Sequence, residues 1–221
     1  MNKYIEILKR ISLKTLYFNF KYFPFKEAIK FPVLISKNVF LLESKGSIKI
    51  DAPLKTGMIL IGFGNIGIFD MKRSRSIWQV AGEVVFKGKA NIGHGTKISV
   101  NKNALIEFGD NFSVTAETEI VAEKKIRFGR DVLISWDCLI MDTDFHKIYD
   151  QDDKLINSPK PIEIGNKVWI GCRNVILKGS KIADNSIIGA NSFLSKDISD
   201  KSGIFLGNPI RFVKGNVRWE I

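Results

Sequence analysis

One segment of the chain, residues 141–161, combines a histidine with nearby carboxylates and so could support proton transfer. Its sequence is MDTDFHKIYDQDDKLINSPKP, in which Asp142, Asp144 and His146 have the spacing D-x-D-x-H. Imidazole exchanges a proton near neutral pH, and a neighbouring carboxylate can orient the ring and favour its protonated form. A histidine in a polar segment can also be a solvated loop residue, and aspartates often form turns. These residues alone leave both interpretations open.

A second candidate site is the glycine-rich stretch ILIGFGNIG, which contains Gly62, Gly64 and Gly67. The spacing G-x-G-x-x-G binds a dinucleotide pyrophosphate when a strand precedes it and a helix follows it. The residues that follow are IFDMKRSRS, which have no sustained helical pattern. We therefore interpret the glycines as corner or loop residues, and a nicotinamide oxidoreductase is the weakest functional hypothesis.

The other residues with metal-binding or nucleophilic chemistry are few. The chain has two histidines, so one copy cannot supply a three-histidine zinc site, and we interpret His94 as a corner or surface residue. Cys138 and Cys172 are widely spaced and form no C-x-x-C motif, which favours packed thiols in a reducing compartment over a disulfide or metal site. The sequence therefore predicts no metal cofactor.

A six-residue repeat of large apolar residues indicates the elements that must position these groups. The repeat has two shifts of phase and a break at 141–161, and its positions are Val80, Phe86, Ile92, Ile98, Ala104, Phe108, Val114, Ile120, Ile126, Phe128, Ile134, Ile140, Ile164, Ile170, Ile176, Ile182, Ile188 and Leu194. This period matches neither an α-helix nor an alternating strand. It is typical of a solenoid, in which three short strands make one coil of about 18 residues. We predict an all-β solenoid over residues 46–208, with 141–161 as an extended loop.

The segment 1–45 has a different composition, and we predict that it is basic, aromatic-rich and partly helical. Up to Phe40 it carries eight Lys or Arg against two Glu, within a chain of net charge +11. It either packs its apolar side on the solenoid or lies on an anionic membrane surface. We recognise no nucleic-acid-binding motif, signal peptide or spanning stretch. The expected location is the cytoplasm, including the inner face of the membrane. Residues 209–221 are predicted to form a C-terminal tail.

Residues 162–214 resemble a known family. They contain the elements V-W-I-G, I-G-A-x-S and G-N-P-x-R in the order found in the hexapeptide-repeat acyltransferases. Within that family they are most similar to the sugar and polysaccharide O-acetyltransferases of the galactoside and maltose acetyltransferase group. The resemblance covers roughly Val80 to Lys214. It implies a left-handed parallel β-helix, a homotrimer with active sites between neighbouring subunits, and acetyl-CoA as the acetyl donor.

The resemblance also implies roles for individual residues. His146 is the expected general base, and Asp144 or Asp142 would orient its imidazole. The expected coenzyme-binding residues are Trp169 near the reacting groups, Cys172 and Ala190 along the pantetheine arm, Ser195 and Lys196 near the far end of the coenzyme, and Arg211 and Lys214 at its phosphates. A hydrophobic lid on a coil edge is the alternative for Trp169. Ordinary solvated charge is the alternative for the three basic residues. Lys147 follows the histidine where the family often has proline, which could reshape the loop or favour an acidic acceptor.

The expected reaction is direct acetyl transfer to a hydroxyl of a sugar or of a cell-envelope polysaccharide or its precursor. An N-acetyltransferase for a nucleotide-linked amino sugar is the nearest alternative, because the same base and coenzyme groove would serve it. A solenoid that only binds a partner is the third hypothesis. It has no reason to place D-x-D-x-H before V-W-I-G.

Overall fold

The six-residue repeat folds as a three-sided stack of short parallel strands in a computed structural model, which describes residues 10–64 and 66–220. Within these described ranges, two helices precede the strands, α1 (Leu13–Tyr22) and α2 (Phe25–Ala28). The strands are β1 Val33–Ile35, β2 Phe40–Ser44, β3 Ser47–Ile50, β4 Ile59–Phe63, β5 Ile77–Val80, β6 Glu83–Phe86, β7 Ala90–His94, β8 Lys97–Val100, β9 Leu105–Phe108, β10 Phe112–Ala116, β11 Glu119–Ala122, β12 Lys125–Phe128, β13 Leu133–Trp136, β14 Leu139–Met141, β15 Ile162–Ile164, β16 Trp169–Ile170, β17 Val175–Leu177, β18 Lys181–Ile182, β19 Ile187–Ile188, β20 Phe193–Leu194, β21 Asp197–Ile198, β22 Ile204–Leu206 and β23 Arg211–Lys214.

Consecutive strands belong to successive faces of the stack, so three strands complete one coil. The first sheet has the order β1-β4-β7-β10-β13-β16-β19-β22-β23, the second β2-β5-β8-β11-β14-β17-β20, and the third β3-β6-β9-β12-β15-β18-β21. All neighbours pair in parallel except β22 and β23. The last complete coils have the predicted length, since Ile170 pairs with Ile188, 18 positions later. Earlier coils are longer, since Ile98 pairs with Ile120, and this explains the shifts of phase in the repeat.

The apolar positions of the repeat point into the stack and form its core. Each of them is at most 4% exposed. Equivalent residues of successive coils lie in register, and Phe86, Phe108 and Phe128 stack with ring centroids 5.2 and 5.4 Å apart. Burying one such side chain stabilises the fold by about 1.5–3 kcal/mol, so the ladders supply most of the driving force. The predicted solenoid is confirmed.

The stack is longer than the predicted range of 46–208. Its first parallel ladder joins Val33 to Ile59, and the second joins Phe40 to Ile77. Residues 33–44 are therefore part of the solenoid, although they were assigned to a separate segment. The reason is that β1 and β2 lie before the regular phase of the repeat begins. At the other end, β23 extends the first sheet by pairing antiparallel with β22, within the predicted tail.

The helix α1 covers the open end of the first sheet. Ser12 caps the helix by accepting a hydrogen bond from the Thr15 N–H at 3.2 Å. Phe18 is buried and packs edge-on against Trp78, with the two ring centroids 5.4 Å apart. The helix thus packs on the body of the solenoid, but the residues that it buries there are Thr15, Phe18 and Asn19. The interpretation that its apolar side faces the solenoid was therefore wrong. Neither described helix is long and apolar enough to span a membrane.

The glycine-rich stretch has no dinucleotide-binding context. Gly62 and Gly64 lie at and after the end of β4 with φ of +77° and +107°, a conformation that other residues rarely adopt. A Cβ at Gly62 would lie 2.5 Å from the Val39 Cγ2. Residues 66–76 form turns and bends with no helix. The glycines therefore shape an irregular early coil, as predicted.

Removing one rung of the phenylalanine ladder should show how much the core contributes. We expect Phe108→Ala to lower the free energy of unfolding by about 3–5 kcal/mol, because the side chain is fully buried and leaves a cavity. Urea denaturation monitored by circular dichroism measures this change in the free energy of unfolding. The control is Arg127→Ala on the exposed side of β12, which should change the free energy by less than about 0.5 kcal/mol. A loss below about 1 kcal/mol for Phe108→Ala would contradict the role given to the ladder.

Candidate active site

His146 lies on the loop of residues 142–161, which leaves the second sheet after β14 and enters the third sheet at β15. The histidine is exposed. It borders a pocket of about 190 Å³, which is also lined by Glu123, Phe145, Lys147 and Asn157. Within the described ranges, 10–64 and 66–220, no protein group hydrogen-bonds to the imidazole. The ring is therefore free to meet a substrate at the edge of this pocket.

Asp144 anchors this loop to the solenoid. Its carboxylate accepts hydrogen bonds from the Lys178 Nζ and from the Asn157 Nδ2, the latter at 2.9 Å. The bond from Lys178, followed by the bond from Asn157, lowers the pKa of Asp144 below its usual value. The Lys178 Nζ also donates to the Asn157 carbonyl oxygen at 2.8 Å. Lys178 belongs to the next coil, so these bonds tie both ends of the loop to one corner.

Asn157 holds the backbone on both sides of the histidine. Its Nδ2 donates to the His146 carbonyl oxygen at 2.8 Å, and its Oδ1 accepts from the Ile148 N–H at 2.7 Å. The His146 N–H in turn donates to the Asp144 carbonyl oxygen at 2.7 Å. The imidazole is thus positioned through its own main chain, and neither aspartate carboxylate contacts it by a hydrogen bond.

Asp142 has a structural environment. Its side chain is fully buried and accepts three backbone N–H bonds from the preceding coil, from Glu123 at 2.7 Å, Lys124 at 2.9 Å and Lys125 at 2.7 Å. Burial raises the pKa of Asp142 despite these three bonds. Both oxygens are occupied by the corner of the coil, so these contacts do not support the predicted role of Asp142 in orienting His146.

The residues predicted to line the pantetheine arm lie at another edge of the stack. Cys172 and Ala190 follow β16 and β19, where the chain turns from the first sheet to the second. Successive coils stack them, since the Asn191 N–H donates to the Cys172 carbonyl oxygen at 2.9 Å. Within the described part of the chain, neither the Cys172 nor the Ala190 N–H donates a hydrogen bond. These two backbone donors therefore have no acceptor within the described part of the chain.

Trp169 lies on the outer face of the first sheet near this edge. Its side chain is 38% exposed, its Nε1 donates to the Ser135 Oγ at 3.4 Å, and its ring centroid is 6.2 Å from that of Trp219. Trp219 is buried and donates from Nε1 to the Lys167 carbonyl oxygen at 3.0 Å. The C-terminal residues thus fold back to cover part of the indole.

Ser195 and Lys196 lie between β20 and β21, at the edge that also carries the His146 loop. Arg211 and Lys214 are exposed on β23. The side chains of Lys196, Arg211 and Lys214 form no ion pair with a described residue. In a single chain, Ser195 and Lys196 therefore lie at the same edge as His146, between the second and third sheets. Cys172 and Ala190 lie at a different edge, between the first and second sheets.

The remaining candidates take no part in this arrangement. His94 ends β7 at a corner and is buried, with its ring 5.9 Å from that of Phe69, so the surface alternative for it was wrong. Cys138 is buried with its Sγ 3.1 Å from the Gly171 carbonyl oxygen, and burial raises its pKa to about 11. In the part of the chain that the structure describes, no group of three His, Cys, Asp or Glu residues could hold a metal ion.

Lys178 and Asn157 are the site residues that the sequence did not reveal. No spacing rule predicts them, because Lys178 is 34 positions from Asp144 and meets it only when successive coils stack. Asn157 lies in the loop that was recognised, but many other polar residues lie there as well. The only available signal was their proximity to the break in the repeat.

A three-sided parallel solenoid with a histidine-bearing loop at one edge defines the class of hexapeptide-repeat transferases with a left-handed β-helix. A family profile described as "Bacterial transferase hexapeptide (six repeats)" matches residues 161–196. The solved structure of a maltose O-acetyltransferase from Clostridium difficile 630 has 30% sequence identity with this chain and superposes with a TM-score of 0.50. The match spans 60% of this chain and 68% of the chain of that structure. The chain therefore belongs to the hexapeptide-repeat acyltransferase family, as predicted.

Two curated proteins extend the comparison. The galactoside O-acetyltransferase of Escherichia coli (strain K12) is 36% identical over 110 residues, which are 49% of this chain and 53% of that protein. A putative lipopolysaccharide biosynthesis O-acetyl transferase of the same organism is 25% identical over 143 residues, 60% of this chain and 72% of that protein. The chain thus spans about half the length of the galactoside acetyltransferase and more of the second relative.

The two aspartates should respond differently to substitution. We expect Asp142→Ala to lower the free energy of unfolding by about 2–3 kcal/mol, because three buried N–H donors lose their acceptor. Asp144→Ala is the matched control, and we expect a loss of less than about 1 kcal/mol because its carboxylate is partly exposed and screened by solvent. Chemical denaturation of both variants measures the difference. Unchanged stability of Asp142→Ala together with a loss of turnover would restore its catalytic assignment.

Proposed function

We propose that the protein transfers an acetyl group from acetyl-CoA to a hydroxyl of a sugar or of a cell-envelope polysaccharide precursor, with His146 as the general base. The observation that carries this proposal is the imidazole of His146, which is held by its backbone at the edge of a pocket and has no hydrogen bond to a described residue. A general base needs such a free nitrogen within reach of the hydroxyl. The names of the relatives support acetyl transfer to sugars.

In the proposed mechanism, His146 accepts the proton of the acceptor hydroxyl as the oxygen attacks the thioester carbonyl carbon. A backbone N–H of a nearby coil stabilises the oxyanion of the tetrahedral intermediate. The carbon–sulfur bond then breaks, the imidazolium returns its proton to the sulfur, and the products are an acetyl ester and coenzyme A. No acyl-enzyme is needed, because holding both substrates together supplies several kcal/mol of the barrier.

The groups that would hold the coenzyme have suitable chemistry. The unpaired backbone N–H groups of Cys172 and Ala190 can donate to the amide oxygens of the pantetheine arm. Lys196, Arg211 and Lys214 are exposed, and cationic donors bind phosphate oxygens well. The partly exposed indole of Trp169 offers an apolar surface near the backbone N–H groups of Cys172 and Ala190.

We further propose that the active protein is a homotrimer and that each site combines two subunits. His146 and the pair Cys172 and Ala190 lie at different edges of one chain, so a neighbouring chain must complete the site. The outer face of the last three strands of the second sheet, β14, β17 and β20, is apolar and half-buried, which suits a protein contact. Its residues are Leu139, Met141, Val175, Leu177 and Phe193. A cyclic arrangement of three chains closes such a heterologous interface.

We infer that the acceptor is an envelope glycan carried on or near a lipid, which places the enzyme in the cytoplasm at the inner face of the membrane. The similarity to a putative lipopolysaccharide biosynthesis O-acetyl transferase supports this class of acceptor. Lys147 lines the pocket beside His146 and adds a positive charge, which favours an acidic sugar.

Replacing the proposed base should remove catalysis and leave the fold intact. We expect His146→Ala to lower the acetyl-transfer rate by about 100-fold or more, the usual contribution of a general base. The measurement is thiol release from acetyl-CoA with a sugar acceptor, with the product tested for an ester that is labile to base. His146 is exposed, so the melting temperature should not change. Activity within a few-fold of wild type in a folded variant would exclude this role, and a base-stable amide product would favour the N-acetyltransferase.

The proposed phosphate contacts can be tested separately. We expect Arg211→Ala and Lys196→Ala each to raise the KM for acetyl-CoA by about five- to tenfold with little change in kcat, because removing one charge-assisted bond costs roughly 1–1.5 kcal/mol. Initial rates at saturating acceptor measure this. Lys72→Ala is the control, because Lys72 is an exposed lysine in the irregular segment before β5. An unchanged KM in both variants would show that these residues are ordinary solvated charges.

A further inference from the structure

The helix α1 has its polar side inward and its apolar side outward. Toward the solenoid it buries Thr15 and Asn19 beside Phe18. Its outward side, together with α2 and the residue that follows, forms a surface that we call the cap face. The cap face consists of Leu13 at 84%, Leu16 at 36%, Tyr17 at 54%, Phe20 at 46%, Phe25 at 69% and Ile29 at 48% exposure.

Hydrogen bonds to the first strand fix this orientation. The Thr15 Oγ1 donates to the Ile35 carbonyl oxygen at 3.2 Å and lies 3.1 Å from the Ile35 N–H, which donates to it. The Asn19 Nδ2 donates to the Val33 carbonyl oxygen at 2.7 Å, and its Oδ1 accepts from the Val33 N–H at 3.2 Å. Since β1 ends its sheet, these side chains replace the missing neighbouring strand. The helix cannot turn its apolar side inward without leaving buried backbone groups unpaired.

The charges around the cap face are mostly positive. Residues 10–31 contain five cations against the single acid Glu27. Lys14 donates to the carbonyl oxygens of Lys37 and Val39, whereas Lys21, Lys26 and Lys30 are exposed and form no ion pair with a described residue. Aromatic and aliphatic side chains bordered by lysines are the composition that binds the interface of an anionic bilayer.

We propose that the cap face binds the surface of an anionic lipid bilayer. Leu13, Tyr17 and Phe25 enter the headgroup region, and Lys21, Lys26 and Lys30 pair with lipid phosphates. The surface belongs to the first coil of the solenoid, whereas His146 lies on a loop after β14, so the two sites are separate. The inference therefore goes beyond acetyl transfer and does not depend on it.

Vesicle co-sedimentation of the full chain tests the proposal. We expect the wild-type protein to bind vesicles of phosphatidylcholine with about one-third phosphatidylglycerol, to bind pure phosphatidylcholine weakly, and to be released by salt. The triple variant Leu13→Gln, Tyr17→Gln, Phe25→Gln should bind at least about tenfold more weakly, because it loses apolar area at the interface. The matched control is Ile68→Gln, which changes an isoleucine that is 66% exposed outside the cap face and should bind like wild type.

Two further measurements keep the result unambiguous. The triple variant Lys21→Gln, Lys26→Gln, Lys30→Gln should lose the preference for anionic over neutral vesicles. Circular dichroism and calorimetry with acetyl-CoA should show that both triple variants fold and bind the coenzyme as the wild-type protein does. Absence of vesicle binding by wild type, or binding of anionic vesicles by both triple variants as tight as that of wild type, would overturn the proposal. A change of oligomeric state in the apolar variant would also overturn it, since the cap face would then be a contact between copies.

Discussion

The parallel stacking of inward-pointing aliphatic side chains is the constraint on which the rest of this molecule depends. Each coil buries equivalent residues directly above those of the previous coil, as in the ladder Ile98, Ile120, Ile140, Ile176 and Leu194. The side chains of a strand alternate between core and solvent, so a slip of one residue would expose the whole ladder. The corners of successive coils are therefore held at fixed positions along three edges.

Those edges are where the chain can vary without disturbing the core, and His146, Cys172, Ala190, Ser195 and Lys196 lie there. The loop of residues 142–161 leaves one edge and returns to it, so the ladder from Ile140 to Ile176 continues beneath it. Asp142 and Lys178 connect the loop to the coils below and above. A rigid stack can thus present a histidine on an irregular segment with little freedom of the main chain.

The sequence predicted the solenoid and the loop that carries His146, because both follow from the period of apolar residues and its interruption. It did not predict that β1 and β2 belong to the stack, because their apolar residues precede the regular phase. It treated Asp142 and Asp144 alike, since spacing does not reveal which carboxylate is buried. It did not reveal Lys178, whose partner Asp144 is 34 positions away.

The ladders follow from the sequence alone, because apolar residues with a period of six are all buried when short strands stack as the coils of a solenoid. The edge that each polar residue occupies became known only from the folded coils. Cys172 and His146 lie at different edges of one chain because successive corners turn between different pairs of sheets. Likewise, the outward apolar side of α1 follows from the unpaired backbone of β1, a requirement that exists only once the first coil is formed.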